Sequence, residues 1–538
     1  MGTKQSSLLR VPVEMPDRSG HNLSHSNAIT GTTGTLIPVL CEELLPNDTI
    51  SLGAQLQVQL PPMVTDFYGK VDFVLEAFFV PNRLLWGGWQ DFITHPTNSP
   101  QYPEGTPVQA KPNSTPKLVG VGNILPSTLT HYLDYGQSYP TSSIDLSPLP
   151  LLAYHRIWDD WYRDSRIQAP LFYRPSSSPV NSAGDTNRNL RSMPYFSSGT
   201  FVGDISEPLV VKPQNTFSDG VRLDSLRQRN WVKDYFTASA PLPQAGGASE
   251  VKLTIDSANN TGALSIADLR AANSLQKWLE RNNLAGYRYS DQIYAQFGIT
   301  PADAIMDRPL YLGRNVQTVY NRSVFSTVAA SEDTGGVLAT KGASSQVLGE
   351  GSIINKFTAS EHGYIMVLAS LVPRPVYSTG ILRRNVRTKV GDFAFPLLAG
   401  MGEQEIKGYE LSGDYDDNYA FGYTDQYAEY KFRNDMIHGL MRDGYLANLQ
   451  SYALQRSFYD YLGSTSANPR LGSDFLLIPI DYLDQVQAIK TSTQGYTYWA
   501  DIYFPFKKIS TIPAYSQPTL ADLKNSHTEY ISRGGKRL

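Results

Sequence analysis

The best candidate for a metal site is the acidic stretch DYDDNYAFGYTD. Its oxygen-bearing side chains occupy positions one, three, five and twelve of a calcium-binding loop: Asp414, Asp416, Asn418 and Asp425. Such a loop needs glycine at position six and glutamate at position twelve, whereas this chain has Tyr419 and Asp425 there. We therefore interpret the stretch as an acidic turn in solvent and keep calcium binding as the alternative hypothesis.

Other arrangements that support catalysis are missing from the sequence or incomplete. The sequence contains no H-E-x-x-H, C-x-x-C or G-x-S-x-G motif and no phosphate-binding P-loop. Glu361 and His362 are adjacent, but the sequence offers them no catalytic partner, so a hydrogen-bonded residue at a strand edge is the simpler interpretation. We therefore expect a protein that is not an enzyme and that uses no cofactor.

Basic side chains are concentrated in the C-terminal tail, residues 524–538. Four cations there face one carboxylate, and four minus one gives +3. Such a tail can neutralise phosphates without reading a base sequence. The whole chain has a net charge of −4, which argues against gripping nucleic acid through overall charge. We predict local contacts with DNA from the two ends of the chain, made by Lys4, Arg10, Arg533, Lys536 and Arg537.

A third stretch, NWVKDYFTASAPLPQAG, covers residues 230–246. It is rich in aromatic residues and has no recognisable catalytic group. Trp231, Tyr235 and Phe236 precede a rigid turn that contains two prolines. Neither a nucleophile with a base nor a metal-ligand cluster accompanies the three rings. Their function must therefore be sought in the elements around them.

Strands are the most evident of these elements. Residues 50–60 alternate apolar and polar side chains, which predicts a strand with one buried face. The same alternation recurs in residues 71–80 and 498–506. Residues 363–372 read GYIMVLASLV and are apolar on both faces, as at the centre of a sandwich.

Two helices are predicted between these strands. The first has an apolar face made of Leu151, Tyr154, Trp158 and Trp161. The second has a stripe made of Ile266, Leu269, Leu275, Trp278 and Leu279. Because strands at both ends of the chain must pair across some 400 residues, we expect a closed β-sandwich or jelly roll with large insertions.

This pattern divides the chain into an arm and one domain. We expect a polar extended arm over residues 1–34 and a single jelly-roll domain over residues 35–538. The expected insertions lie at about 94–148, 173–264 and 265–360, and the basic tail at 524–538.

The composition indicates in which compartment the protein is made and what kind of surface it has. The chain has 33 tyrosines, a residue enriched where another protein covers the surface. Cys41 is the one cysteine in the sequence, so the fold needs no oxidising compartment. No run approaches the roughly 18 apolar residues of a membrane span, and no signal peptide is recognisable. We therefore expect synthesis in a cytoplasm.

Seven stretches, in order, resemble the major capsid proteins of microviruses, the small single-stranded DNA bacteriophages, especially the gokushovirus-like branch. The motif RNWVKDYFTASAPLPQAG is the most characteristic. Four of the other stretches are LCEELLPNDTISLGAQLQVQLPPM, LPLLAYHRIWDDWYRD, FTASEHGYIMVLASLVPRPVYSTG and YWADIYFPFKKISTIPAYSQP. The resemblance covers nearly the whole chain, and it explains the lack of an active site.

The resemblance implies a mainly β fold, an eight-stranded antiparallel jelly roll with large loop and helical insertions. It implies a T=1 icosahedral shell of about sixty copies, built through pentamers, that encloses single-stranded DNA and contributes to host attachment. The implied partners are a small basic DNA-packaging protein, a minor or pilot capsid protein and a host-cell receptor. The virion would be the protein's location, after synthesis in a bacterial cytoplasm.

Within that family, Trp231, Tyr235 and Phe236 would fix a long connection against the sandwich or against a neighbouring subunit. Many relatives carry a surface projection between this motif and the second helix. Here the gap, about 245–264, is short, so residues 173–222 are the candidate replacement.

The alternative interpretation is a β-sandwich that binds or cleaves carbohydrate. The tyrosine and tryptophan content suits stacking on sugar rings. The missing signal peptide and the lack of a convincing carboxylate pair near those aromatics argue against it.

Overall fold

The computed structural model describes residues 18–514, except for several internal gaps. The gaps are residues 65, 87–88, 95–114, 121, 140–143, 173–209, 244–265, 287, 304–305, 326–340, 401, 414–418, 443–451, 457 and 459–470. Within the described residues the fold is mainly β, with antiparallel sheets and few long helices, as the sequence predicts.

Strands and helices follow one another in this order. The strands are β1 Ser19–Asn22, β2 His25–Gly31, β3 Ile37–Leu44, β4 Thr49–Gln59, β5 Val71–Pro81, β6 Lys117–Leu118, β7 Val210–Val211, β8 Leu310–Thr318, β9 Tyr320–Phe325, β10 Lys341–Thr358, β11 Gly363–Pro373, β12 Val376–Tyr377, β13 Glu403–Lys407, β14 Ala420–Asp425, β15 Asp435–Met436, β16 Tyr498–Phe504 and β17 Phe506–Ser510. The α-helices are α1 Trp89–Thr94, α2 Leu129–Tyr132, α3 Leu149–Ile157, α4 Ile266–Ala285, α5 Tyr289–Phe297, α6 Gly408–Leu411, α7 Ala428–Lys431, α8 Ser473–Leu476 and α9 Thr491–Gln494.

Two antiparallel sheets form the body of the subunit. The first has seven strands in the order β1-β17-β4-β10-β9, and β16 pairs with both β2 and β4. The second has four strands in the order β3-β11-β5-β8. Strands that follow one another along the chain often lie in opposite sheets: β2, β4, β10 and β16 belong to the first sheet and β3, β5 and β11 to the second.

Among the described strands of the two large sheets, three pairs that follow one another along the chain are separated by only one or two residues. Leu23 and Ser24 separate β1 from β2, Pro505 separates β16 from β17, and Val319 separates β8 from β9. In the last pair β8 belongs to the second sheet and β9 to the first, so the chain passes from one sheet to the other at Val319. The expected count of eight strands therefore depends on whether such pairs are counted once or twice.

The main hydrophobic core lies between the two sheets. β4 buries alternate residues, among them Leu52, Leu56 and Val58, and leaves Gln55 and Gln57 exposed. This confirms the strand predicted from the alternation of residues 50–60. Across the core, Phe73 of β5 meets Tyr498 of β16 edge to face, with ring centroids 5.6 Å apart.

β5 is buried on both faces, although its alternation predicted one buried face. The second face carries Phe78 and Val80, which belong to another cluster together with Tyr154 of α3. The Tyr154 hydroxyl donates a hydrogen bond to the Leu36 carbonyl oxygen at 2.8 Å. α3 and neighbouring insertions thus cover this sheet from outside, and β5 loses its exposed face.

The observed strands also shift the expected limits of the arm and of one insertion. We expected residues 1–34 to form an arm, but residues 19–31 form β1 and β2 of the first sheet. Their polar side chains stay on a partly exposed surface, so backbone pairing with β16 and β17 is compatible with a polar sequence. Likewise, residues 265–360 contain β8, β9 and β10.

Other predicted segments lie wholly or partly outside the described residues. The basic tail 524–538 is outside, as is most of the candidate projection 173–222. A third hydrophobic cluster contains Phe236, Tyr377, Phe421, Phe458 and Phe475, among other residues. In the part of the chain that the structure describes, no helix is both long and apolar enough to cross a membrane.

Candidate assembly segment

We call residues 230–243, the described part of the stretch 230–246, the candidate assembly segment. Near its start, Trp231 is buried in the main core and is only 3% exposed. Its backbone N–H donates to the Leu476 carbonyl oxygen at 2.8 Å. The indole meets the ring of Tyr482 edge to face at 5.0 Å, and the guanidinium of Arg456 lies 5.1 Å from the indole centroid. Trp231 therefore fixes the start of the segment to the sandwich.

Asp234 then reverses the chain. Its Oδ1 accepts hydrogen bonds from the backbone N–H groups of Phe236 and Thr237, at 3.0 and 2.8 Å, and from the Thr237 hydroxyl at 2.9 Å. Its Oδ2 accepts one from the Tyr377 hydroxyl. An aspartate that bonds the backbone two and three residues ahead makes an Asx-type turn. This turn sends Phe236 away from the core that holds Trp231.

Phe236 enters the third cluster and is only 4% exposed. It meets Tyr377 edge to face at 4.9 Å and Phe421 at 6.2 Å. Tyr235 packs against the same cluster, and its hydroxyl donates to Glu410 Oε2 at 2.9 Å. Burial, together with the negative charge of Glu410, raises the pKa of Tyr235, which keeps this hydroxyl a donor.

An ion-pair network ties the turn to the chain that follows α3. Lys233 and Arg166 both pair with the buried carboxylate of Asp164, the latter at 3.0 Å. Burial alone would raise the pKa of Asp164, but the hydrogen bonds and charges of Arg166 and Lys233 outweigh it and lower that pKa. Further along, Ala240 pairs with Tyr423 through two backbone hydrogen bonds of 2.7 and 2.8 Å.

The segment is thus a bridge between two hydrophobic clusters of one subunit. Trp231 lies in the first and Phe236 in the third, and the Asp234 turn separates them. Both rings pack against their own subunit, and their contact with a neighbouring subunit stays a prediction. Among the described residues of the segment, Val232 and Leu242 are large apolar residues that are exposed. Sequence analysis missed Asp234 and its partner Tyr377, although Asp followed by Thr three positions later was a visible turn signal.

Most other candidate site residues lie outside the described residues. These are Lys4, Arg10, Arg533, Lys536 and Arg537 for DNA, and Asp414, Asp416 and Asn418 for calcium. Asp425 is described; it ends β14 and forms an ion pair with Lys431. Among the described residues, no three His, Cys, Asp or Glu side chains come together as a metal site would require. Calcium binding stays a hypothesis.

Glu361 and His362 make structural contacts. The Glu361 carboxylate pairs with Arg83 at 2.9 Å, and the His362 ring packs against Trp89 at 5.8 Å. These contacts agree with the interpretation of a hydrogen-bonded residue at a strand edge.

Comparison with known proteins identifies the family. The family described as "Capsid protein (F protein)" matches residues 10–520. Capsid protein VP1 of Chlamydia phage 1 is 26% identical, over 95% of this chain and 97% of its own length. Capsid proteins VP1 of Bdellovibrio phage phiMH2K and Spiroplasma virus 4 are 24% and 25% identical, over 84% and 94% of this chain and 88% and 95% of their own lengths.

These matches confirm the predicted resemblance to microvirus capsid proteins and favour it over the carbohydrate-binding alternative. A capsid protein forms the virion shell together with other copies of itself, a role that is structural and not enzymatic. The chain therefore belongs to the F-protein family of phage capsid proteins.

Proposed function

We propose that this protein forms a T=1 icosahedral shell of about sixty copies, built through pentamers, around a single-stranded DNA genome. The shell is made in the cytoplasm of a bacterial host and contributes to attachment to the next host cell. Family membership supports the capsid role. The number of copies in the shell and the single-stranded DNA inside it are the parts that we propose.

The observation that carries the assembly step is the amount of apolar surface on the isolated subunit. Between β12 and β13, Val390, Phe393 and Phe395 are exposed, and Leu397 is 92% exposed. Monomeric proteins rarely leave several large apolar side chains together in water. This stretch of the surface is expected to be covered by other subunits in the shell.

Electron microscopy and native mass spectrometry of the purified full-length protein test the proposal. A shell of sixty copies of a 59.7 kDa chain has a mass of about 3.6 MDa. Uniform particles of that mass support T=1 assembly. Monomers alone at high concentration, in the presence of the minor capsid and DNA-packaging proteins, would count against it.

Genome contact is expected to come from the two ends of the chain and from a second protein. A net charge of −4 cannot neutralise packaged DNA, so we propose that a small basic packaging protein supplies most of the positive charge. Lys4, Arg10, Arg533, Lys536 and Arg537 are the proposed local contacts. A minor or pilot capsid protein and a host-cell receptor complete the proposed partners.

Truncation after Ser532 tests the C-terminal part of this proposal. If Arg533, Lys536 and Arg537 contact phosphates, the truncated chain should bind its DNA more weakly at low salt, and this binding should depend less on salt, because each lost contact removes one released counterion. Equal DNA retention by truncated and full-length particles at every salt concentration would exclude the tail as a DNA contact.

A further inference from the structure

The helical hairpin of α4 and α5 is attached to the subunit by polar contacts. Asn283 of α4 donates to Glu403 Oε1 at 2.8 Å and to the Leu242 carbonyl oxygen at 3.3 Å. Between the helices, Arg288 donates to the carbonyl oxygens of Asp159 and Arg163, at 2.5 and 2.8 Å. These hydrogen bonds hold the hairpin in one orientation on the subunit.

The two helices are also bonded to each other. Gln296 of α5 donates to Asn282 Oδ1 of α4 at 2.5 Å, and Gln292 donates to the Gly286 carbonyl oxygen at 2.7 Å. Gly286 makes the turn with φ +115°, and a Cβ there would lie 2.9 Å from Asp291 Oδ2. The exposed side chains of the hairpin thus stand on a fixed surface.

Burial in this hairpin is the reverse of that in an ordinary amphipathic helix. Asn282 and Asn283 are buried, whereas Leu275 and Trp278 are exposed, the latter by 50%. α5 contains no buried residue, and its Phe297 is 76% exposed. Two members of the predicted apolar stripe, Leu275 and Trp278, thus face outward, whereas such a stripe normally faces the core of the same chain.

The exposed apolar side chains are large enough to form one side of a protein interface. Fully covered aromatic side chains bury about 150–250 Å² each, so the exposed parts of Trp278, Tyr289, Tyr294 and Phe297 amount to roughly 400–600 Å². Leu275 and Ile299 add to this surface. One side of a standard interface measures about 800 Å².

The charges on the hairpin fit the edge of such an interface. Lys277 and Arg281 are exposed beside Trp278, and no described carboxylate forms an ion pair with either. Aromatic side chains at the centre with arginine around them are the composition of a protein interface. A sequence-independent DNA site would use the rings and cations but would have no use for Leu275 and Ile299.

We propose that this face of the α4–α5 hairpin is a contact between subunits and that its occupant is a second copy of this chain. The inference rests on the proposed function, because it needs the protein to assemble. By this face we mean the exposed apolar side chains of the hairpin: Leu275, Trp278, Tyr289, Tyr294, Phe297 and Ile299. It requires a partner surface that carries apolar side chains with carboxylates around them.

A pair of matched double variants of the full-length chain tests the proposal. The hairpin variant carries Tyr294→Ser and Phe297→Ser. The control carries Tyr320→Ser and Leu348→Ser, on β9 and β10, where the side chains are 69% and 61% exposed. The hairpin variant should give at least tenfold fewer particles in electron micrographs, with the urea midpoint of the free subunit unchanged. The control should assemble like the unmodified chain.

A labelling experiment gives a second readout that does not depend on loss of assembly. The chain has one other cysteine, Cys41, so a Phe297→Cys variant can be followed with N-ethylmaleimide after subtracting the reaction of the unmodified chain. The new thiol should react quickly in free subunits and at least tenfold more slowly in particles, whether or not they contain DNA.

Three outcomes would overturn the inference. Normal assembly of the hairpin variant is one, and an equal loss of assembly in the control is another. Protection of Phe297→Cys only in DNA-filled particles is the third, because it would make the genome the occupant. In each case the unmodified chain still assembles, so the proposed function stands. If the unmodified chain forms no particles, the proposed function fails and the inference fails with it.

Discussion

Replacing Phe236 with alanine should lower the free energy of unfolding of the unassembled subunit by about 3–5 kcal/mol. Burial of the ring contributes about 1.5–3 kcal/mol. Its edge-to-face contacts, with Tyr377 at 4.9 Å and Tyr235 at 5.2 Å, add about 0.5–1.5 kcal/mol each. The neighbours belong to separate elements held by their own hydrogen bonds, so they cannot close the cavity completely.

Urea titration of the free subunit measures this loss, followed by tryptophan fluorescence below the concentration at which particles form. The slope of the transition should be unchanged, so that the midpoint alone reports stability. Val232→Ala is the matched control, because Val232 lies in the same segment and is about half exposed. It should change the free energy of unfolding by less than about 0.5 kcal/mol.

The result that would refute this reasoning is a loss below about 1 kcal/mol in the free subunit together with a failure to assemble. Phe236 would then act mainly on a neighbouring subunit, and the packing described here would not be its main role. A loss of 3–5 kcal/mol would assign the ring to the interior of its own subunit.

Three further predictions concern other described residues. Because the pKa of Asp164 is lowered in the folded state, its carboxylate contributes stability that is fully present above about pH 4 and is lost as the pH falls below that value. The difference in urea midpoint between the unmodified chain and Asp164→Asn should therefore shrink from pH 5 to pH 2. Burial, with help from Glu42 and Asp134, raises the pKa of Cys41 to about 12, so its alkylation by iodoacetamide at pH 8 should be at least about tenfold slower in the native protein than in urea. A Cβ at Gly380 would lie 1.8 Å from the Glu410 carbonyl oxygen, whereas one at Gly391 would meet nothing within 4 Å, so Gly380→Ala should remove most of the soluble protein and Gly391→Ala should leave its yield unchanged.

Periodicity predicted the strands well because it depends on one chain segment at a time. The alternation of residues 50–60 corresponds to β4, and the doubly apolar residues 363–372 correspond to β11, which is buried on both faces. β5 shows the limit of that reasoning. Its own residues predict one buried face, but distant insertions cover the other, and a local pattern carries no information about what lies above it.

The helices show that a local pattern can also predict burial where the structure leaves side chains exposed. The apolar stripe of α4 was visible in the sequence, yet Leu275 and Trp278 face outward. Periodicity reveals that a helix has an apolar side, but it does not reveal whether that side is covered by the same chain. The first helix differed in another way: after Ile157 it continues as a π-helical turn, Trp158–Tyr162, whose wider winding changes the face that Trp161 presents.

The sequence was enough to identify the candidate assembly segment, but it did not predict how that segment folds. Its composition singled out Trp231, Tyr235 and Phe236 as candidate assembly residues, and that role stays a prediction. Only the three-dimensional structure reveals that the Asp234 turn directs two of these rings into different clusters. Contacts such as Asp234 with Tyr377 join residues 143 positions apart, and no pattern within either stretch encodes that pairing.

The pairing of β1 and β2 with β17 and β16 has a consequence for when the protein can fold. Ser19 pairs with Ser510, and β16 lies between β2 and β4 near the centre of its sheet. During synthesis the ribosome must therefore release residues 498–510 before that sheet can close, and the unpaired edges of β2 and β4 remain open until then. Such distant pairing makes folding slow and late. Chains that end before these strands cannot complete the sandwich, so only subunits translated past residue 510 can enter a shell.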